Sequence, residues 1–195
     1  MYRAWTGVGS RETPQEFQLH MISIANRLTR NGWTLRSGKA DGADALFQNG
    51  VQASGREGSA EIYKPWHSFN SSPNSDSFTL ESGLIVMNYW DIAGDRLPNW
   101  AEAEEIASQI HPAWDRLKRG AKALHTRNVY QVLGKDLNSP SEFLLCYAPV
   151  QGKSVKGGTR TAYELAKEYD VPCFNYASMS KEAIVSAIKE FVDAA

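Results

Sequence analysis

Apolar positions along this chain alternate between short strand-like runs and longer stretches with a helical period. Residues 2–8 form an apolar run that predicts a strand, closed by Gly7-Val8-Gly9-Ser10-Arg11. Phe17, Met21, Ile24 and Leu28 then recur at helical spacing. Thr13-Pro14-Gln15-Glu16 reads as a capping box with proline in the first turn, and Asn31-Gly32 stops the helix. A second strand is expected at 33–36, closed by Ser37-Gly38. A second helix is expected at 41–53, and a third strand at 60–64. This β-α-β-α-β succession implies right-handed crossovers and a mainly parallel sheet with helices on both faces.

The rhythm lapses over residues 66–99. Residues 68–77 are rich in Ser and Asn and read as a loop, and the apolar, aromatic run at 84–90 is too short to assign as strand or helix. Asn99 is placed to cap a helix through Ile110, with Glu102 completing the box, and His111-Pro112 ends it. A helix at 121–133, a strand at 143–147, a helix at 162–169, a strand at 171–176 and a last amphipathic helix through Ile184, Ile188 and Phe191 restore the alternation. The expected architecture is one Rossmann-like, three-layer α/β domain over 1–195, with strand order 3-2-1-4-5 and an insertion at about 66–99. In such a sheet ligands bind at the carboxyl ends of the strands, where the order reverses between the first and fourth.

The chemistry concentrates at that edge. Gly157-Gly158-Thr159-Arg160-Thr161 joins the strand at 143–147 to a helix, and Gly9-Ser10 follows the first strand. Glycines let backbone approach a ligand, and the unpaired N–H groups at a helix start favour an anion, most often phosphate. Thr159 and Thr161 add hydroxyl donors, Arg160 adds a cation, and Glu164 falls about one turn into the helix. Arg11 and Lys39 each follow a phosphate-type loop, as anion contacts or as solvated charges. Asp44 lies at the start of the second helix, to bind ribose hydroxyls or to stabilise the helix dipole.

Composition sets outer limits. Net charge is −1, so no basic field spans the whole chain, and nucleic acid is set aside as a partner. Cys146 and Cys173 sit in expected strands without metal-ligand spacing, which points to packed thiols and a cytosolic protein, in the host cytoplasm if viral. No metal and no cofactor are expected. Trp66, His67, Phe69, Phe78, Tyr89, Trp90 and Trp100 crowd the inserted segment, and the reading preferred for them is a satellite core or a homodimer contact. Stacking on a base is the alternative.

Four segments resemble the SLOG superfamily, which includes the LOG-type nucleoside-monophosphate phosphoribohydrolases and the Rossmann-like domain of the DNA-processing protein DprA. Gly9-Ser10 is similar to the superfamily's Gly-Ser turn. Ser37-Gly38-Lys39-Ala40-Asp41-Gly42-Ala43-Asp44 resembles the DprA signature, and Leu124-His125-Thr126-Arg127 the Met-His-x-Arg stretch of the phosphoribohydrolases. Gly157-Gly158 with Thr161 and Glu164 resembles their Gly-Gly-x-Gly-Thr-x-x-Glu motif. Two departures stand out: Arg160 replaces the third glycine, and Asn128 stands where lysine is usual. Compact members related to a bacterial protein called YspA, including phage-borne ones, resemble this chain most.

The resemblance implies a nucleotide or nucleotide-derived ligand, and N-glycosidic hydrolysis with Glu164 and Arg127 as the catalytic pair. Its glycine loop, with Ser10, Ser37 and Gly38 nearby, would hold the phosphate. Two rivals stand beside hydrolysis: a protein that senses or sequesters a nucleotide without turnover, and single-stranded DNA binding as in DprA. Arg160 favours capture, because an added cation tightens anion binding without helping water attack.

Overall fold

The computed structural model describes residues 2–56, 60–66, 69–70, 79–80, 83–84, 87–91 and 97–193; of 79–91 only the backbone is described. Six strands form one sheet, all neighbours parallel: β1 (Arg3–Gly9), β2 (Trp33–Gly38), β3 (Ala60–Lys64), β6 (Met87–Asp91), β7 (Leu144–Tyr147) and β10 (Cys173–Asn175). Their order is β10-β7-β1-β2-β3-β6. The expected 3-2-1-4-5 order is therefore present, extended at one edge by β6 from within the inserted segment. Two short antiparallel pairs complete the strands: β4 (Thr79–Leu80) with β5 (Gly83–Leu84), and β8 (Val150–Gln151) with β9 (Ser154–Val155). Phe78 and His67 lie outside the described residues.

Helices cover both faces. On one side α1 (Gln15–Arg30), α2 (Ala43–Ala53) and α6 (Lys181–Asp193) enclose a core of Trp5, Met21, Leu28, Trp33, Leu35, Phe47, Ile62, Phe143, Leu145 and Ile184. On the other, α3 (Trp100–Ile110), α4 (Arg119–Leu133) and α5 (Thr159–Glu168) enclose Val8, Tyr63, Ala107, Tyr130, Leu133, Leu144, Cys146, Ala162 and Leu165. The two-residue period of a strand does this sorting: Phe143 and Leu145 face one layer, Leu144 and Cys146 the other. The result is a Rossmann-like α/β fold. Both cysteines are free, and burial pushes the Cys173 thiol up to about 12. Among the described residues no helix is long and apolar enough to cross a membrane.

Two expected caps take other partners. Pro14 occupies the cap position of α1, and the Thr13 hydroxyl donates to the Ser10 carbonyl at 3.2 Å instead of capping. Asn99 precedes α3 without capping it. Its amide donates to Lys135 O (2.9 Å) and its carbonyl accepts from the Tyr130 hydroxyl (3.1 Å), so it ties the start of α3 to α4 and the loop after it.

Candidate functional site

Because β1, β2 and β7 run parallel, their carboxyl ends, Gly9, Gly38 and Tyr147, emerge on the same edge of the sheet. A cavity of about 430 Å³ opens there. The loop after β1 contributes Gly9, Ser10, Arg11 and Glu12; the stretch after β2 contributes Ala40 and Asp44; the stretch before α5 contributes Lys156, Gly157, Gly158 and Thr159. The far wall is α4, which presents Leu124, His125, Arg127, Asn128 and Gln131, and Phe69 closes one side.

The first loop is held by its own backbone. Ser10 N–H donates to Tyr147 O (2.7 Å), Ser10 O accepts from Ala43 N–H (3.0 Å), and the Ser10 hydroxyl accepts from Glu12 N–H (3.1 Å). The glycine loop is held from α4: the Asn128 amide donates to Gly158 O at 2.7 Å, while its carbonyl accepts from Arg127 Nη2 at 3.2 Å. Asparagine at the position where the resemblance expects lysine thus serves as a latch on the loop. Gly157 has φ +76°, a left-handed conformation that glycine adopts freely.

Arg127 and Asp44 form the electrostatic centre. Arg127 is 8 % exposed, its Nε and Nη1 lack hydrogen-bond partners, and its guanidinium lies 5.7 Å over the Phe69 ring. Burial lowers its pKa, the Asp44 charge opposes that, and Arg11 adds to it. Asp44 is 2 % exposed and accepts backbone hydrogen bonds from Gly9, Gly38 and Ala40, so one carboxylate joins the loops after β1 and β2. Its Oδ2 has no partner. Burial raises its carboxyl to about 7 against the pull of Arg127 and those N–H groups. Both polar atoms of the buried Gln131 side chain are also unpartnered. Unmet polar groups buried beside a cavity call for a partner there, whether water or a polar ligand.

A pH dependence of stability follows. A carboxyl whose folded pKa is raised holds its proton while the unfolded chain releases it, so stability is lost as pH rises from about 4 to about 7. His125 works in the opposite sense. Burial first, then His111 and Arg127, lower it to about 4, so stability falls on acidification from about 6.5 to about 4. Asp44→Asn isolates the first effect. The variant should gain on the wild type by on the order of 3 kcal/mol between pH 4 and pH 7, with little further gain above about pH 8. Denaturant melts at four pH values measure this, and a gap independent of pH would contradict the buried-acid account.

The remaining expected residues scatter. Ser37 is buried and donates to Gly7 O at 2.6 Å, which ties β2 to β1. Gly38 does not line the cavity but abuts the Arg127 guanidinium, so its missing side chain makes room for that group. The Lys39 carbonyl accepts from the Asn70 amide at 2.8 Å. Thr161 shares a 2.8 Å hydrogen bond with His125 Nδ1, and the His125 ring packs 4.4 Å from His111. Arg160 Nε is buried without a partner, and its charge lowers the His111 pKa after burial does. Glu164 does not line the cavity: its Oε2 pairs with Lys167 Nζ at 3.3 Å, and Oε1 is buried without a partner. The structure therefore groups Gly9, Ser10, Arg11, Asp44, Arg127, Gly157, Gly158 and Thr159, and leaves Glu164 outside them. It adds Asn128, Gln131 and Lys156, which sequence reasoning missed. Leu124, Asn128 and Gln131 recur at helical spacing with Arg127 among them, a signal that was available.

No family model matches the chain, and no curated protein matches it. Among solved structures it is similar to that of DNA processing protein A from Helicobacter pylori, a study of that protein's single-stranded DNA binding mode. The TM-score is 0.42 and the identity 16%, over 97% of this chain and 80% of that one. One expectation is corrected here. Nucleic acid was set aside as a partner on net charge, yet the protein found binds single-stranded DNA, and the exclusion is withdrawn. Its premise also fails physically, because a net charge of −1 averages over cations that the fold segregates. Arg11, Arg127 and Lys156 gather at one cavity against Glu12 and Asp44, and Arg116, Lys118, Arg119 and Lys122 crowd the start of α4 against Asp115.

Proposed function

We propose that the protein binds an anionic nucleotide in this cavity, as a member of the SLOG superfamily. The phosphate lies against Gly157, Gly158 and Thr159, and the sugar and base extend toward Asp44, Arg127 and Phe69. The observation that carries this reading is Arg127, a buried guanidinium with two unpartnered nitrogens in the same cavity as the positive end of α5. All four segments that resemble the superfamily contribute to the lining.

Calorimetric titration with a panel of nucleoside 5′-monophosphates, and inorganic phosphate as control, tests it. At least one nucleotide should bind more tightly than phosphate alone, and a panel without heat would remove the reading. A Cβ added at Gly158 meets no atom within 4 Å. Gly158→Val should therefore fold normally while losing about tenfold or more in affinity, because the added bulk faces the ligand. Unchanged affinity would place the phosphate elsewhere.

Hydrolysis of the N-glycosidic bond is the second reading, with Asp44 in place of Glu164. Asp44 is the carboxyl at the cavity's buried centre, it titrates near neutral pH, and one of its oxygens is free to meet a ligand or water. If the protein releases base from a nucleotide, Asp44→Asn should cost roughly two orders of magnitude in rate, whereas Glu164→Gln should stay within a few-fold of wild type. The reverse ranking would return the role to Glu164. Intact nucleotide after prolonged incubation with wild type would leave capture as the function.

A further inference from the structure

The N-terminal half of α4 separates two cavities. Ala121, Leu124, His125 and Asn128 face the one described above. On the other side Arg119, Gly120, Lys122 and Ala123 face a second cavity of about 730 Å³, whose walls also include Trp66 and Trp100. An aromatic pair lies between the two: Phe69 lines the first, Trp66 lines the second, and their rings meet edge-to-face at 5.0 Å. The second cavity carries the cations Arg119 and Lys122 against the single acid Glu104, and Lys122 lies 5.2 Å over the Trp114 ring. Lys118 and Arg116 are exposed just before it.

We infer that the second cavity is a subsite for a further nucleotide unit of the same ligand, its base against Trp66 or Trp100 and its phosphate on Arg119 and Lys122. Indole faces and cations within one cavity suit a base joined to a phosphate, since stacking accepts any base and the charge tracks the phosphodiester. A ligand that fills both cavities, past the Phe69 and Trp66 rings that lie between them, is at least a dinucleotide. This inference rests on the nucleotide reading of the first cavity.

Length dependence tests it. Thymidine 5′-monophosphate, the 5′-phosphorylated dinucleotide pdTpdT and a dT12 strand are titrated against wild type, Arg127→Met, Trp100→Ala and the double variant Arg119→Gln/Lys122→Gln. The dinucleotide should bind about tenfold or more tightly than the mononucleotide. The double variant should erase that gain and leave mononucleotide affinity unchanged, Trp100→Ala should erase part of it, and the double variant should show a shallower dependence of affinity on salt. A further gain with dT12 identifies a strand as the ligand, and a plateau at two units identifies a dinucleotide. Equal affinity for one unit and two, with mononucleotide binding still lost in Arg127→Met, overturns the second subsite and leaves the first reading standing. No binding of any probe overturns the second subsite, and no heat from the nucleoside-monophosphate panel overturns the first reading as well.

Discussion

Arg127→Met should lower nucleotide affinity by about two orders of magnitude without destabilising the protein. The two halves of this result have one cause. A guanidinium that is 8 % exposed, with Nε and Nη1 unpartnered, is held at a cost in the empty protein, and burial already lowers its pKa. A phosphate or a ribose oxygen supplies the missing acceptors in a setting where water competes poorly, so charge-assisted bonds count for more there. Methionine matches the length of the aliphatic stem and removes the cost along with the benefit. Asp44 loses its counter-charge, but its three backbone donors remain, and its protonated form is already accessible near pH 7. Titration calorimetry and thermal melts on the same samples check both halves. A melting point several degrees lower would make Arg127 a structural residue, and retained affinity would remove it from the site.

Gly9→Val should leave little folded protein. A Cβ at Gly9 would lie 2.5 Å from the Tyr147 carbonyl oxygen, 2.7 Å from the Ala43 side chain and 3.0 Å from the Tyr147 nitrogen. Two of those three atoms are backbone of the neighbouring strand, which cannot rotate away as a side chain can. The substitution would push β7 from β1 at the centre of the sheet, at a cost of more than about 4 kcal/mol, a large share of a typical domain's stability. Circular dichroism and soluble yield compared with Gly158→Val give the measurement, since the two glycines face the same cavity with opposite surroundings. A Gly9→Val protein that melts like wild type would show that the strand spacing here tolerates what these distances forbid.

Much of this arrangement was legible in the residues. The alternation of periods placed five of the six parallel strands and their order, because Trp5, Leu35, Ile62 and Leu145 must be buried and Gly9 and Gly38 mark the ends of the first two. β6 escaped, since the apolar run around Met87 fits several assignments until β3 is there to pair with it. Glu164 illustrates the limit at the site. Expected helix from Ala162 placed it near the glycine loop, but α5 begins at Thr159. Five residues at about 100° each turn Glu164 roughly 140° away from Thr159, toward Lys167 rather than the cavity. Asp44 and Arg127 come from segments more than eighty positions apart, and no local pattern reveals their electrostatic coupling.

The central pairing of β1 with β7 joins Thr6 to Leu144 and Gly9 to Tyr147. A ribosome must therefore deliver about 144 residues of this chain before these two strands meet, although β2 can pair with β1 much earlier. Until then one side of β1 is an open edge, able to pair with the wrong chain. Closing so long a loop is slow in entropic terms, which makes this step a candidate for the rate-limiting event of folding. The ligand cavity takes one rim from residues near position 10 and another from residues near 157, so it does not exist before that closure. A nascent or truncated chain that stops short of α5 lacks the Gly157–Thr159 rim, so the proposed binding site arises only after that segment is made.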